Sequence, residues 1–230
     1  MKRVVQPELL DALPPDDPRA IRSRGDLCRV NAWMGNHKIL SRALRETANG
    51  TAPGRIVELG AGDGQFLLRV AQSLAPSWPR VSVTLLDRLE TVRASTLSAF
   101  TTLGWRAEAS VADALDWAAT TTRPAEIVVA NLFLHHFSEA QLARLFTGVA
   151  RWARLFVAVE PRRGAWPLFC TRWLWAIGCN NVTCHDAKAS ARAGFMGAEL
   201  SSLWPANAEW KLCEEAAGFF SHLFVAHRSA

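Results

Sequence analysis

Three short runs hold most of the groups that could do chemistry. The first, Val57-Glu58-Leu59-Gly60-Ala61-Gly62-Asp63-Gly64-Gln65, sets an acid before three alternating glycines, directly after an apolar stretch. Glycine has no Cβ and tolerates positive φ, so such a turn can run against a ligand and offer it backbone N–H donors. The dinucleotide fingerprint G-x-G-x-x-G is the nearest rival; here Gln65 stands at its third glycine and Gly64 comes one residue early. Taken alone, the loop leaves nucleotide-type ligands open. The second run, Leu86-Asp87-Arg88, follows at the distance expected of a carboxylate that accepts both ribose hydroxyls. A dinucleotide enzyme would place an acid there too. The third run, Asn131-Leu132-Phe133-Leu134-His135-His136-Phe137, sets two imidazoles side by side, and imidazole is the natural base near neutral pH. A packed or capping histidine is the bland alternative.

These runs need a scaffold that brings them together. Strand-like stretches at 55–59, 81–86, 105–111, 127–132 and 155–159 alternate with helical ones, which implies a parallel sheet wrapped by helices. The ending breaks the alternation: 210–214 and 221–227 are strand-like and are joined through Gly218 without room for a crossover helix, so they read as a hairpin. In an open α/β sheet ligands bind past the carboxyl ends of the strands, where all three runs fall. Ahead of the sheet, a Pro/Asp-rich loop (Pro14 to Pro18) leads into helical stretches around Ile21 to Trp33 and His37 to Thr47, with Gly35 allowing a sharp passage and Asn36 free to cap the second.

Over about residues 50 to 230 this pattern resembles the class I S-adenosylmethionine-dependent methyltransferases, and Asn131-x-x-x-His135-His136 resembles the small-molecule, ubiquinone-biosynthesis type. The resemblance implies an α/β fold with a seven-stranded, mostly parallel, doubly wound sheet whose last strand is antiparallel. It also implies S-adenosylmethionine as cofactor. Glu58 would help to orient the methionine amino group, Gly60, Ala61, Gly62 and Gly64 would cradle the ligand, and Asp87 with Arg88 would hold the ribose. Ala112, Asp113 and Ala114 match the adenine-contacting motif, although Asp113 is also placed to cap the helix after it; the two roles are compatible. Asn131 and Leu132 would border cofactor and acceptor.

The expected organisation is an N-terminal helical cap over 1–50 and a methyltransferase domain over 51–230, with a substrate lid at about 161–207. In the lid, 165–178 reads as a buried or pocket-lining helix, since Pro167 and Arg172 interrupt it and it is too short to span a bilayer; contact of its tryptophans with lipid is the lesser alternative. Trp33, His37, Trp173 and Phe195 are the candidate acceptor contacts. His136 is the favoured base, ahead of His185 and His135; Asp186 is the natural orienter of His185, but sequence neighbours seldom bond side chain to side chain. Adjacent histidines are also expected to point apart. Cys179, Cys184 and His185 lack a second ligand pair, so no metal is expected.

Composition narrows the classes. The 230 residues are half hydrophobic, as in a compact α/β domain, and the +5 charge is dispersed without a basic run, which argues against nucleic acid. Five cysteines without paired spacings argue against a disulfide framework and for a cytoplasmic setting; stable membrane insertion is not expected. The reading is methyl transfer to a small aromatic or polyketide-like acceptor in secondary metabolism, foremost O-methylation of a phenol by a histidine base. C- or N-methylation, an NAD-dependent dehydrogenase and a catalytically silent relative are the alternatives. The oligomeric state stays open, a homodimer included.

Overall fold

The apolar runs become a seven-stranded sheet in a computed structural model that describes residues 1–14, 16–48 and 51–229. The strands are β1 (Arg55–Leu59), β2 (Ser82–Asp87), β3 (Arg106–Val111), β4 (Ala125–Asn131), β5 (Ala153–Pro161), β6 (Trp210–Ala217) and β7 (Ser221–Arg228). Their order is β3-β2-β1-β4-β5-β7-β6, and β7 runs antiparallel to both of its neighbours. The doubly wound α/β architecture with an antiparallel last strand is therefore present as expected.

Helices α1 (Leu9–Ala12), α2 (Pro18–Met34), α3 (Asn36–Thr47), α4 (Gln65–Leu74), α5 (Ala94–Thr102), α6 (Ala114–Thr120), α7 (Glu139–Ala150), α8 (Ala165–Thr171) and α9 (Asn181–Ala193) surround the sheet. Side chains alternate between sheet faces with a period of two. Ile56, Ile127, Val129, Leu155 and Val157 join one core with residues of α3, α4 and α5, while Val57, Val128, Ala130, Phe156 and Ala158 join a second with residues of α6 and α7. Because both faces are covered, these strands are apolar throughout rather than alternating.

Several local expectations change. The helix read from Ile21 starts earlier, at Pro18: Asp17 accepts from the Arg19 N–H at 2.8 Å, and Pro18 occupies the first turn, where its missing N–H costs nothing. Pro15, within the expected loop, and Asn49 and Gly50, at the expected 50/51 boundary, lie outside the described residues. Leu40, Ala43 and Leu44 of α3 lie in the first core, so the second N-terminal helix is part of the helical layer. Gly35 makes the sharp passage in the left-handed region at φ 70°. Asn36, however, is the first residue of α3 and does not cap it; its fully buried side chain reaches across to the sheet.

The 165–178 stretch is not a buried helix. It forms α8 and a 3-10 turn at Leu174–Ile177, and Trp166, Phe169, Trp173, Trp175 and Ile177 all face outward. Unexpected, too, is the N-terminal strap. The Val4 N–H donates to the Arg192 carbonyl at 3.2 Å, and Arg3 donates to the carbonyls of Ala193, His135 and Phe137. The first residues thereby tie α9 to the loop after β4.

Candidate active site

The glycine loop leaves β1 and enters α4 through three left-handed residues, Gly60 (φ 68°), Gly62 (φ 53°) and Gly64 (φ 74°). A Cβ on Gly60 would lie 2.1 Å from the Phe133 ring, so the β4 loop packs directly against the β1 loop. Nothing stands within 4 Å of where a Gly62 Cβ would be; that stretch of backbone faces open space. Asp87, at the end of β2, holds the loop: its Oδ2 accepts from the Gly62 N–H at 2.8 Å and its Oδ1 from the Leu89 N–H at 3.0 Å. Each carboxylate oxygen keeps a further lone pair for a ligand. Arg88 beside it is exposed.

Glu58, the penultimate residue of β1, is almost completely buried, and its Oε2 has no hydrogen-bond partner among the described residues. Burial, reinforced by the nearby charges of Asp63 and Asp87, raises its carboxyl well above the usual carboxylate range. An orphaned buried acid is costly unless something fills its coordination. An ammonium group, such as that of S-adenosylmethionine, meets that need in charge and in hydrogen bonding, and the glycine backbone beside it leaves the room.

Past β3, Asp113 does cap a helix, accepting from the Leu115 N–H at 2.8 Å and the Asp116 N–H at 3.3 Å. Ala112 and Asp113 stay partly exposed, while Ala114 is buried. Past β4, Asn131 Oδ1 accepts from Asn36 Nδ2 at 2.9 Å, and Asn36 in turn accepts from the Ser221 hydroxyl at 2.6 Å, so the start of α3 is wired to β4 and β7. Leu132 follows in the left-handed region at φ 49°, a strained setting for a branched residue. Leu134–His136 form a 3-10 turn.

The two histidines do not point apart. Their rings lie with centroids 4.2 Å apart, and their surroundings differ. His135 is buried between two acids, with Nδ1 2.9 Å from Glu160 Oε2 and Nε2 3.5 Å from Glu8 Oε1. Burial works against its charged form, but hydrogen bonds to Glu160 and Glu8 outweigh it and lift the imidazole to about 9. Glu160 also accepts from the N–H groups of Phe133 and Leu134, both at 2.9 Å, and so organises the whole turn. Glu8, His135 and His136 present ligand atoms within 4.8 Å of one another, a spacing that would admit a cation.

The polar run of the lid is largely structural. Asn180 caps α9 through the Thr183 N–H at 2.8 Å; Thr183 meets Ser23 at 2.9 Å and Asp26 at 3.2 Å; Asp186 accepts from the Leu9 and Leu10 N–H groups at 2.8 and 2.9 Å. His185 Nδ1 nevertheless lies 2.9 Å from Asp186 Oδ1, so these neighbours do bond, with the imidazole half exposed. Of the acceptor candidates, Trp33 and Trp173 are exposed, and His37 is partly buried near Arg69, with its pKa lowered by burial and by the Arg69 and Lys38 charges. Phe195 is 1% exposed, packed in the second core under the Arg3 guanidinium. Sequence reasoning missed Glu160 and Glu8, and the contacts that Asn36 and Phe133 make. Glu160 was findable, because it is the penultimate residue of an apolar strand, as Glu58 is.

The sheet order, the antiparallel β7 and a glycine loop with an acid at the next strand end define a class I methyltransferase fold. Comparison carries this further: residues 56–154 match the family model described as a methyltransferase domain. No curated protein sequence matches the chain significantly. Among solved structures, an O-methyltransferase family protein from Burkholderia thailandensis shares 15% identity at a TM-score of 0.61, covering 95% of this chain and 64% of its own. The plantazolicin methyltransferase BamL, solved with S-adenosylhomocysteine, shares 13% at 0.64, covering 95% and 92%. The magnesium protoporphyrin IX methyltransferase of Synechocystis, also with S-adenosylhomocysteine, shares 13% at 0.55, covering 85% and 83%. The chain thus spans less than two thirds of the Burkholderia protein. Residues 56–154 thus resemble a methyltransferase domain, and the fold is that of the class I methyltransferases, of which BamL and the Synechocystis enzyme were solved with S-adenosylhomocysteine.

Proposed function

We propose that this enzyme methylates a small, largely apolar aromatic or polyketide-like acceptor at oxygen, with a histidine removing the phenolic proton. The observation that carries the reading is the contact of Phe133 with Gly60, which sets the histidine turn beside the cofactor loop at the point where the strand order reverses between β1 and β4. In this reading Glu58, the glycine loop with Ala61, Asp87, Arg88, Ala112 to Ala114, Asn131 and Leu132 surround the cofactor. A phenol is mostly protonated at neutral pH, so a base is required. His135 keeps its own proton below about pH 9, which leaves His136 as the base and His185, oriented by Asp186, as the second histidine. The O-methyltransferase named in Burkholderia supports oxygen as the acceptor atom. Trp33, His37 and Trp173 would border the acceptor.

The domain reading belongs to the same proposal: residues 1–50 act as a cap and 161–207 as a lid on the domain over 51–230, and the hydrogen bonds that the Leu9 and Leu10 N–H groups donate to Asp186 support their working as one cover. A cytoplasmic location is supported by five unpaired thiols. The test is a panel of phenols, amines and activated carbon acids incubated with S-adenosylmethionine, reading the mass gain of one methylene. A phenol product whose rate falls by about 10²-fold or more in His136→Gln, with S-adenosylhomocysteine affinity unchanged, is expected. Full turnover in both His136→Gln and His185→Gln would sink the histidine base.

A further inference from the structure

Between Trp166 and Ile177 the lid turns a dense apolar set outward: Trp166 is 56%, Trp173 57%, Trp175 66% and Ile177 55% exposed. The same chain buries Trp78 and Trp105 to 1%, so these rings are not outside for want of a core that accepts tryptophan. Trp166 stacks on Phe169 with centroids 5.9 Å apart, and Phe169 meets Trp173 edge-on at 6.5 Å, which makes one continuous ladder. The segment underneath is anchored, with Pro167 buried and the Gly178 carbonyl accepting from Arg22 at 3.1 Å. It leaves directly from β5, at the carboxyl edge of the sheet where the site lies.

The surrounding charge selects the partner. From 162 to 192 the sequence contains Arg162, Arg172, Lys188 and Arg192, besides Arg163, which is buried and paired with Glu199, against one acid, Asp186, which is buried and accepts from Leu9 and Leu10. Arg172 and Lys188 are exposed. Tryptophan, with an apolar body and a polar N–H, favours the headgroup level of a bilayer, and flanking cations favour anionic lipid. A second copy of the chain would bring Arg172 and Lys188 against their own charge, which opposes pairing through this face.

We propose that the face built by α8 and the following 3-10 turn, at the carboxyl edge of the sheet, docks the protein peripherally on an anionic phospholipid surface. Among the described residues no helix is long and apolar enough to cross a membrane, so the contact is interfacial. The test is sedimentation of the full chain with vesicles of phosphatidylcholine alone or mixed with phosphatidylglycerol, at low and high salt. Binding to the anionic vesicles is expected, weakened by salt, and reduced about tenfold or more in the triple variant Trp166→Ser, Trp175→Ser, Ile177→Ser. Unchanged S-adenosylhomocysteine affinity in that variant verifies its fold. No binding to anionic vesicles, equal binding to neutral ones, or equal binding by the variant would overturn the proposal. So would a wild-type dimer in sedimentation velocity that the variant abolishes, since a second copy would then cover the face.

Discussion

Two residues of the β1 loop have opposite relations to stability and function. Glu58 is buried with one oxygen unpartnered and its carboxyl raised above its ordinary value of 4.5, so the native state holds this proton at pH values where the unfolded chain has lost it. Its contribution to stability therefore falls as pH rises above 4.5. Glu58→Gln should remove that decline and leave the empty protein at least as stable at pH 8, while weakening S-adenosylhomocysteine binding. Thermal melts across pH, with calorimetry on both proteins, check the two halves. Gly60 is the opposite case, because φ 68° and the Phe133 ring both exclude a side chain. Gly60→Ala should cost about 1–3 kcal/mol of stability and most of the cofactor affinity, read by denaturant melts and calorimetry.

Among elements, the turn after β4 depends on β5 and on the N-terminal strap. Glu160 takes N–H groups from Phe133 and Leu134 and holds His135, whose other nitrogen faces Glu8. His135 gains proton affinity on folding, from 6.5 to about 9, so its stabilising contribution is complete below about pH 6.5 and is lost as pH rises through 9. Wild-type stability should fall across that window, and His135→Gln should flatten the fall in pH-dependent melts. Glu160→Ala strips several buried donors of their acceptor at once and should cost about 3–5 kcal/mol. At the other end of the strap, Asp186→Ala frees the Leu9 and Leu10 N–H groups. Limited proteolysis should then cut within the first 17 residues faster, ahead of any cleavage in the sheet.

In the whole molecule, the loops after β1, β2 and β4 meet only because the sheet brings their carboxyl ends side by side, with Asp87 bonded to Gly62 and Phe133 packed on Gly60. A ligand bound to the native state alone stabilises it by mass action. S-adenosylhomocysteine at about a hundred times its Kd should add about 2.7 kcal/mol, visible as a rise in Tm. Asp87→Ala, which removes the anchor of the glycine loop, should lose most of that rise. An equal rise in the variant would remove Asp87 from the site.

Local pattern and global contact divided the information unevenly. The strand–helix alternation, the terminal hairpin, the Gly60–Gly64 loop and the acids at 87 and 113 were legible in the sequence, because backbone periodicity, φ tolerance and strand ends are local properties. What could not be read locally was which polar groups face one another. Asn36 read as a cap and proved a buried link to Asn131 and Ser221; Asp186 read as the orienter of His185 and also proved the acceptor for the N-terminal Leu9 and Leu10 N–H groups. His135 and His136 are equivalent in sequence, yet Glu160 and Glu8, distant along the chain, flank the His135 ring and raise its pKa. The sequence by itself determined the fold class, through short-range patterns. Only the tertiary structure decided which histidine is held charged and which aromatics stand outside, because charge pairing and burial are set by residues that the chain brings together from far apart.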